Sequence, residues 1–110
     1  LPLVRSEYIA RMDADDISLP NRLRNQVAFL DSHPDIDLCG TSFTLIDSHG
    51  TPSPSNPLPL THREIHASLF FYNCIVHSSV CARTSFFAHR RYDNDYRYAE
   101  DYHMWCSASE

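Results

Sequence analysis

Residues 7–12, Glu-Tyr-Ile-Ala-Arg-Met, run without a turn residue into the acidic cluster Asp13-Ala14-Asp15-Asp16. A short strand-like segment ending in three carboxylates constrains the fold more than any other feature of the chain. On extended backbone, residues two apart point the same way, so Asp13 and Asp15 share a face at the strand's end. Two carboxylates so placed repel each other unless a positive group lies between them. A hard divalent cation, Mg²⁺ or Mn²⁺, suits that place: it takes oxygen ligands and keeps room for waters and phosphate oxygens. In α/β sheets, ligands bind beyond the carboxyl ends of strands, which is where this cluster lies. Taken alone, the same pattern also describes a solvated turn with acidic charge ahead of a helix. An EF-hand is excluded, because the spaced oxygen ligands and the central Gly are missing.

The rest of the chain alternates in pattern. Ser18-Leu19-Pro20 predicts a helix start, with Ser18 as N-cap and Pro20 in the first turn. Leu19, Leu23, Val27 and Leu30 recur at helical spacing and predict one apolar face. Asp31 to Pro34 ends that helix, since the residue before Pro avoids helical backbone. Residues 36–46 read as a strand bent at Gly40, residues 47–50 as a turn, and residues 51–60, with four prolines, as a surface loop. Thr61-His62-Arg63-Glu64 has the form of a capping box, and Ile65, Leu69 and Tyr72 follow on one helical face. Residues 75–83 read as a strand and residues 84–98 have a poor period. Residues 99–109 read as a helix with Glu100 and Asp101 in its first turn. The order strand, helix, strand, helix, strand, helix predicts an α/β fold with a mixed sheet flanked by helices.

Composition removes several functions. The chain has 110 residues, enough for one small domain. All nine basic residues are Arg, the net charge is −5, and no basic run forms a nucleic-acid footprint. No apolar run reaches the roughly 20 residues of a membrane helix, and no signal-peptide pattern opens the chain. It begins with Leu1, so it reads as a piece of something longer. Cys39, Cys74, Cys81 and Cys106 form no C-x-x-C pair, so a zinc ribbon or redox couple is not expected. They read as reduced thiols in a cytosolic protein. His62 and His66 stand at i, i+4, but no Glu follows His62 as in H-E-x-x-H, and the pair reads as solvated.

Three blocks carry a resemblance. Tyr8-Ile9-Ala10-Arg11-Met12-Asp13-Ala14-Asp15-Asp16-Ile17-Ser18-Leu19-Pro20-Asn21-Arg22-Leu23 resembles the D-x-D segment of family 2 glycosyltransferases, which have the GT-A fold. Gln26-Val27-Ala28-Phe29-Leu30 and His33-Pro34-Asp35-Ile36 extend it. Asn73-Cys74-Ile75-Val76-His77-Ser78-Ser79-Val80 is similar to that family's Asn-Pro-Ile…His-Pro-Ser-Val segment. Tyr98-Ala99-Glu100-Asp101-Tyr102-His103-Met104-Trp105 is similar to its Ala-Glu-Asp-Tyr…Trp. The chain departs from the pattern at Cys74 and Ser78, where Pro is frequent, and at Arg90-Arg91, where Gly-Gly often precedes Tyr-Asp.

The resemblance implies a glycosyltransferase of the bacterial cell-surface polysaccharide or lipooligosaccharide type. It implies transfer of a sugar from a nucleotide-diphosphate donor, a UDP-sugar, to an acceptor hydroxyl with inversion, dependent on Mn²⁺ or Mg²⁺. Asp15 would contact the metal directly, and Asp13 would support the metal or the donor ribose. Asp101 would be the base that takes the acceptor proton, and Glu100 would orient the acceptor or that base. A lone His in a strand is ordinarily hydrogen-bonded core; the resemblance implies that His77 contacts donor or metal. Asp16 is read as a partner for the N-terminus of the next helix. Trp105 could stack on an acceptor sugar, but reads first as core.

The implied partners are a nucleotide sugar and a saccharide or glycolipid acceptor, with peripheral membrane association and no nucleic acid. The implied place is the cytoplasm, at the inner face of a membrane. Residues 1–110 would form one partial GT-A domain that lacks most of the N-terminal nucleotide-binding half. The isolated chain is then expected to show negligible transfer. The alternative is a non-enzymatic remnant that binds metal or sugar. A haloacid-dehalogenase-like phosphatase also carries D-x-D after a strand, but it needs a Lys, and this chain has none.

Overall fold

The computed structural model describes residues 3–109. Strands β1 (Tyr8–Ala10), β2 (Leu38–Cys39) and β5 (Cys81–Arg83) form one sheet in the order β1-β5-β2. Ile9 and Leu38 both oppose Ala82 across the central strand. A separate hairpin pairs β3 (Leu45–Ile46) with β4 (Pro52–Ser53). Helices α1 (Arg22–Ser32), α2 (His62–Leu69), α3 (Thr84–Ala88) and α4 (Glu100–Ser109) flank the strands. The α/β class, strands flanked by helices, is as expected, and every pairing among the described strands is antiparallel.

The strands are shorter than the patterns predict. Residues 36–46 are not one strand. At Gly40 a side chain would meet Ser79 Oγ at 3.1 Å, and Thr41 N donates to that oxygen at 3.1 Å. A side-chain hydroxyl therefore replaces the strand partner, and the chain leaves the sheet. Residues 75–83 are also not one strand. Ser79 N and Ser79 Oγ both donate to Val76 O, at 2.9 and 2.8 Å, which closes a 3₁₀ turn over His77–Ser79. The turn at residues 47–50 forms as expected. Asp47 Oδ1 accepts from His49 N and Thr51 N, and Gly50 takes φ 80°.

Helix α1 starts later and faces differently than its leucines predict. Leu19 O accepts from Arg22 N at 3.1 Å, so Pro20 takes the second position of a β-turn, where its fixed φ fits. Asn21, not Ser18, is the N-cap, and it makes no side-chain cap bond. Asp16 lies well ahead of the helix, whose first turn holds no acid. Leu19 and Leu23 are 74% and 52% exposed, while Gln26 and Leu30 are 4% and 0% exposed. The reason is polar. Gln26 Nε2 donates to Ser79 O at 2.9 Å and Cys39 O at 3.2 Å, and Gln26 Oε1 accepts from Arg22 Nε at 3.1 Å. These bonds turn the Gln26 face inward. At the far end, Arg83 donates to Leu30 O at 2.7 Å and Ile36 O at 3.1 Å, supplying a cation at the helix C-terminus.

Helix α2 begins with the expected capping box. Glu64 N donates to Thr61 Oγ1 at 3.3 Å, and Thr61 N to Glu64 Oε2 at 2.9 Å. The helix ends at Leu69, so Tyr72 falls in the turn beyond it, half-exposed. Leu69 packs with Cys74, Val80, Ala82, Phe86, Met104 and Trp105 in one buried cluster. Trp105, 2% exposed, is core and not a sugar platform. The four cysteines are free thiols. Among the described residues, no helix is long and apolar enough to cross a membrane.

Candidate active site

The acidic cluster emerges directly from β1. Arg11 N donates to Val80 O at 2.9 Å, one residue past the strand. From behind, Arg22 Nη2 donates to Arg11 O at 2.7 Å and Val80 O at 3.3 Å. The strand's end is therefore tied to α1 and to β5. Asp13 O accepts from Asp16 N at 3.2 Å, which turns the chain. Arg11 Nη1 donates to Asp13 Oδ1, the i, i+2 pairing that extended chain allows. Asp15 and Asp16 stand exposed on the turn.

His77 comes to the same side from the 3₁₀ turn. Its Nε2 shares a 2.8 Å hydrogen bond with the Tyr92 hydroxyl, and its ring meets Trp105 edge-on at 5.9 Å. Burial pushes the His77 pKa below its ordinary value, and the Arg11 charge acts in the same sense. The Asp101, Asp13 and Glu100 charges oppose that shift without overcoming it. Burial likewise pushes Tyr92 upward, with Arg11 opposing. His77 is thus in a turn, not a strand, and in electrostatic reach of three candidate carboxylates.

Glu100 and Asp101 occupy the first turn of α4, at the positive end of the helix dipole. Asp101 Oδ2 accepts from Asn73 Nδ2 at 2.9 Å. The amide of Asn73 is itself oriented, since its Oδ1 accepts from Ile75 N at 3.3 Å. Glu100 lines an open cleft of about 720 Å³ together with Arg11, His77, Tyr92, Asp93, Asn94, Tyr96, Arg97 and Tyr98. Tyr98 takes φ 68°, a left-handed conformation that costs a residue with a side chain roughly 1–2 kcal/mol. The Arg90-Arg91 pair does not need glycine's freedom: among non-glycine residues described, only Tyr98 has positive φ. Arg90 lies over the Phe86 ring at 4.5 Å and donates to Phe86 O at 3.2 Å.

The structure therefore brings Asp13, His77, Glu100 and Asp101 to one side of the molecule, with Asp15 on the adjoining turn. Among the described residues, no three His, Cys, Asp or Glu side chains converge as a closed cation site. The oxygen donors of Asp13 and Asp15 fit a hard cation that fills its remaining positions with water or phosphate oxygens. The sequence patterns missed Arg11, Asn73 and Tyr92. Only Arg11 had a local signal, its i, i+2 spacing to Asp13.

A sequence model described as "Glycosyl transferase family 2" matches residues 1–96. The chain is 34% identical over 97 residues to the amylovoran biosynthesis glycosyltransferase AmsE of Erwinia amylovora, covering 88% of this chain and 36% of that protein. It is 34% identical over 98 residues to the O-antigen biosynthesis glycosyltransferase WbnJ of Escherichia coli, covering 88% and 37%. An uncharacterized glycosyltransferase of Methanocaldococcus jannaschii is 32% identical over 111 residues, covering 98% and 38%. The chain spans little more than a third of the length of these relatives. No solved structure gives a significant match. The family match runs over most of the chain, from the strand and acidic turn through the His77 turn, and the chain belongs to glycosyl transferase family 2.

Proposed function

We propose that this chain contributes the metal and acceptor side of a sugar-transfer site that uses a nucleotide-diphosphate sugar, a UDP-sugar, and inverts at the transferred carbon. The observation that carries the reading is the meeting of His77 and Glu100 in the cleft, with Asp13 and Asp101 close enough for their charges to act on His77. In this reading Asp15, with Asp13 behind it, holds Mn²⁺ or Mg²⁺. Bound there, the cation supplies charge neutralisation for the leaving diphosphate.

The chain's own residues do the rest. Arg11 pins Asp13 and screens its repulsion from Asp15. Asp101 takes the proton from the acceptor hydroxyl, and inversion needs no second nucleophile. Asn73 holds the Asp101 carboxylate by one oxygen and leaves the other free for that proton. Glu100 accepts from acceptor hydroxyls in the cleft. His77, kept neutral by burial and fixed by Tyr92, offers a hydrogen bond to the donor without adding charge. The acceptor is a saccharide or glycolipid, and the place of reaction is the cytoplasm at the inner face of a membrane. The free thiols support the intracellular part of that reading. Residues 1–110 form one partial domain, and transfer requires the nucleotide-binding half supplied by further chain.

Calorimetry tests the assignment. Mn²⁺ binds the chain, UDP-glucose tightens it, and Asp15→Ala weakens the metal at least tenfold. Metal affinity untouched by Asp15→Ala overturns the assignment. Metal that binds with no effect of UDP-glucose, with the nucleotide-binding half also present, favours a non-enzymatic remnant.

A further inference from the structure

We propose that Tyr98 is the platform on which a pyranose ring of the saccharide acceptor stacks. The inference rests on the sugar-transfer reading above and adds the residue that reads the sugar's face. Two independent observations carry it. Tyr98 is 97% exposed, so its ring contributes nothing to the core. Its backbone sits at φ 68°, a conformation that Gly or Asn adopts far more readily than an aromatic residue. An aromatic ring held at a strained position, with no folding return, points to a role outside folding.

Its neighbours narrow that role. The cleft beside it is lined by Glu100, Arg97 and His77. The other tyrosines there are already engaged: Tyr96 stacks on His103 at 4.1 Å and 11°, and Tyr92 bonds His77. Trp105 is buried. At 97%, Tyr98 is the most exposed tyrosine lining the cleft. A pyranose presents an apolar face of C–H groups, which suits an aromatic ring, and a rim of hydroxyls, which suits Glu100 and Arg97. A nucleotide phosphate would use Arg97 but not the ring.

The probes are the methyl β-glycosides of glucose, galactose and N-acetylglucosamine. They are read by saturation-transfer NMR and by the Tyr98 ring resonances of the whole chain. At least one glycoside binds and shifts the Tyr98 ring signals. Tyr98→Gly, which relieves the backbone conformation, cuts that affinity at least tenfold without lowering the thermal midpoint. Tyr98→Trp retains it within threefold. Glycoside binding unchanged in Tyr98→Gly, or absent from the unmodified chain, overturns the inference. The Mn²⁺ titration of Asp15→Ala is read separately. If it fails while glycosides still bind through Tyr98, the transfer reading falls and the sugar platform stands.

Discussion

Replacing Gln26 with Leu removes a polar hub while nearly keeping its volume. Gln26 is 4% exposed, donates to Ser79 O and Cys39 O and accepts from Arg22 Nε, with Cys39 Sγ a weaker fourth partner at 3.7 Å. Each of the first three contributes a net of about 1 kcal/mol, and the Ser79 carbonyl left behind in a buried place costs about as much again. Leucine's additional apolar burial returns about 1 kcal/mol. The expected loss is about 2–3 kcal/mol, a large share of the 5–15 kcal/mol typical of a domain. At a urea slope of about 1.5 kcal/mol/M, the unfolding midpoint falls by about 1.5 M. Gln26→Glu is expected to lose more, because a carboxylate cannot donate to either carbonyl and is itself buried. Circular dichroism against urea measures both variants. A midpoint for Gln26→Leu within about 0.3 M of the parent, or Gln26→Glu the milder change, refutes the claim that these bonds orient α1.

The other expectations are smaller in scope. Thr61→Ala removes the capping-box acceptor of α2 and costs about 1 kcal/mol in the same urea assay; Thr61→Ser restores most of it. His77 has its pKa lowered by burial, so between its folded value and 6.5 the unfolded chain binds more protons. Its contribution is therefore present above pH 6.5 and is lost as pH falls below it; His77→Gln flattens that part of the stability profile from pH 7.5 to 5, and an unchanged profile contradicts the burial. Burial pushes the Cys39 thiol from 9.0 up to about 11, which lowers its thiolate fraction at pH 8 roughly hundredfold. Peptide mapping after iodoacetamide at pH 8 should find Cys39 modified far more slowly in the folded chain than in urea, and equal rates would show an open thiol.

Features that close within a few residues were legible in the sequence. The Thr61–Glu64 capping box, the Asp47–Gly50 turn and the end of α1 before Pro34 each rest on bonds or backbone limits spanning at most a few positions. Residue type and spacing alone determine them. The start of α4 at Glu100 was legible for the same reason, whereas Asp13 and Asp15 do not share an extended strand end as expected, because the Asp16 N bond to Asp13 O turns the chain there. The tertiary structure decided what depends on distant partners. Gln26 turns inward because Ser79, 53 residues on, offers a buried carbonyl, and no helical periodicity of leucines reports that. The strands at residues 36–46 and 75–83 are cut short by a single Ser79 hydroxyl that bonds across the gap. Asn73 reaches Asp101 across 28 residues, and Tyr92 reaches His77 across 15. The sequence thus determined which carboxylates stand at strand and helix ends, because those placements are local. Only the folded chain decided which side chains hold them, because hydrogen bonds between distant segments depend on packing that spacing does not encode.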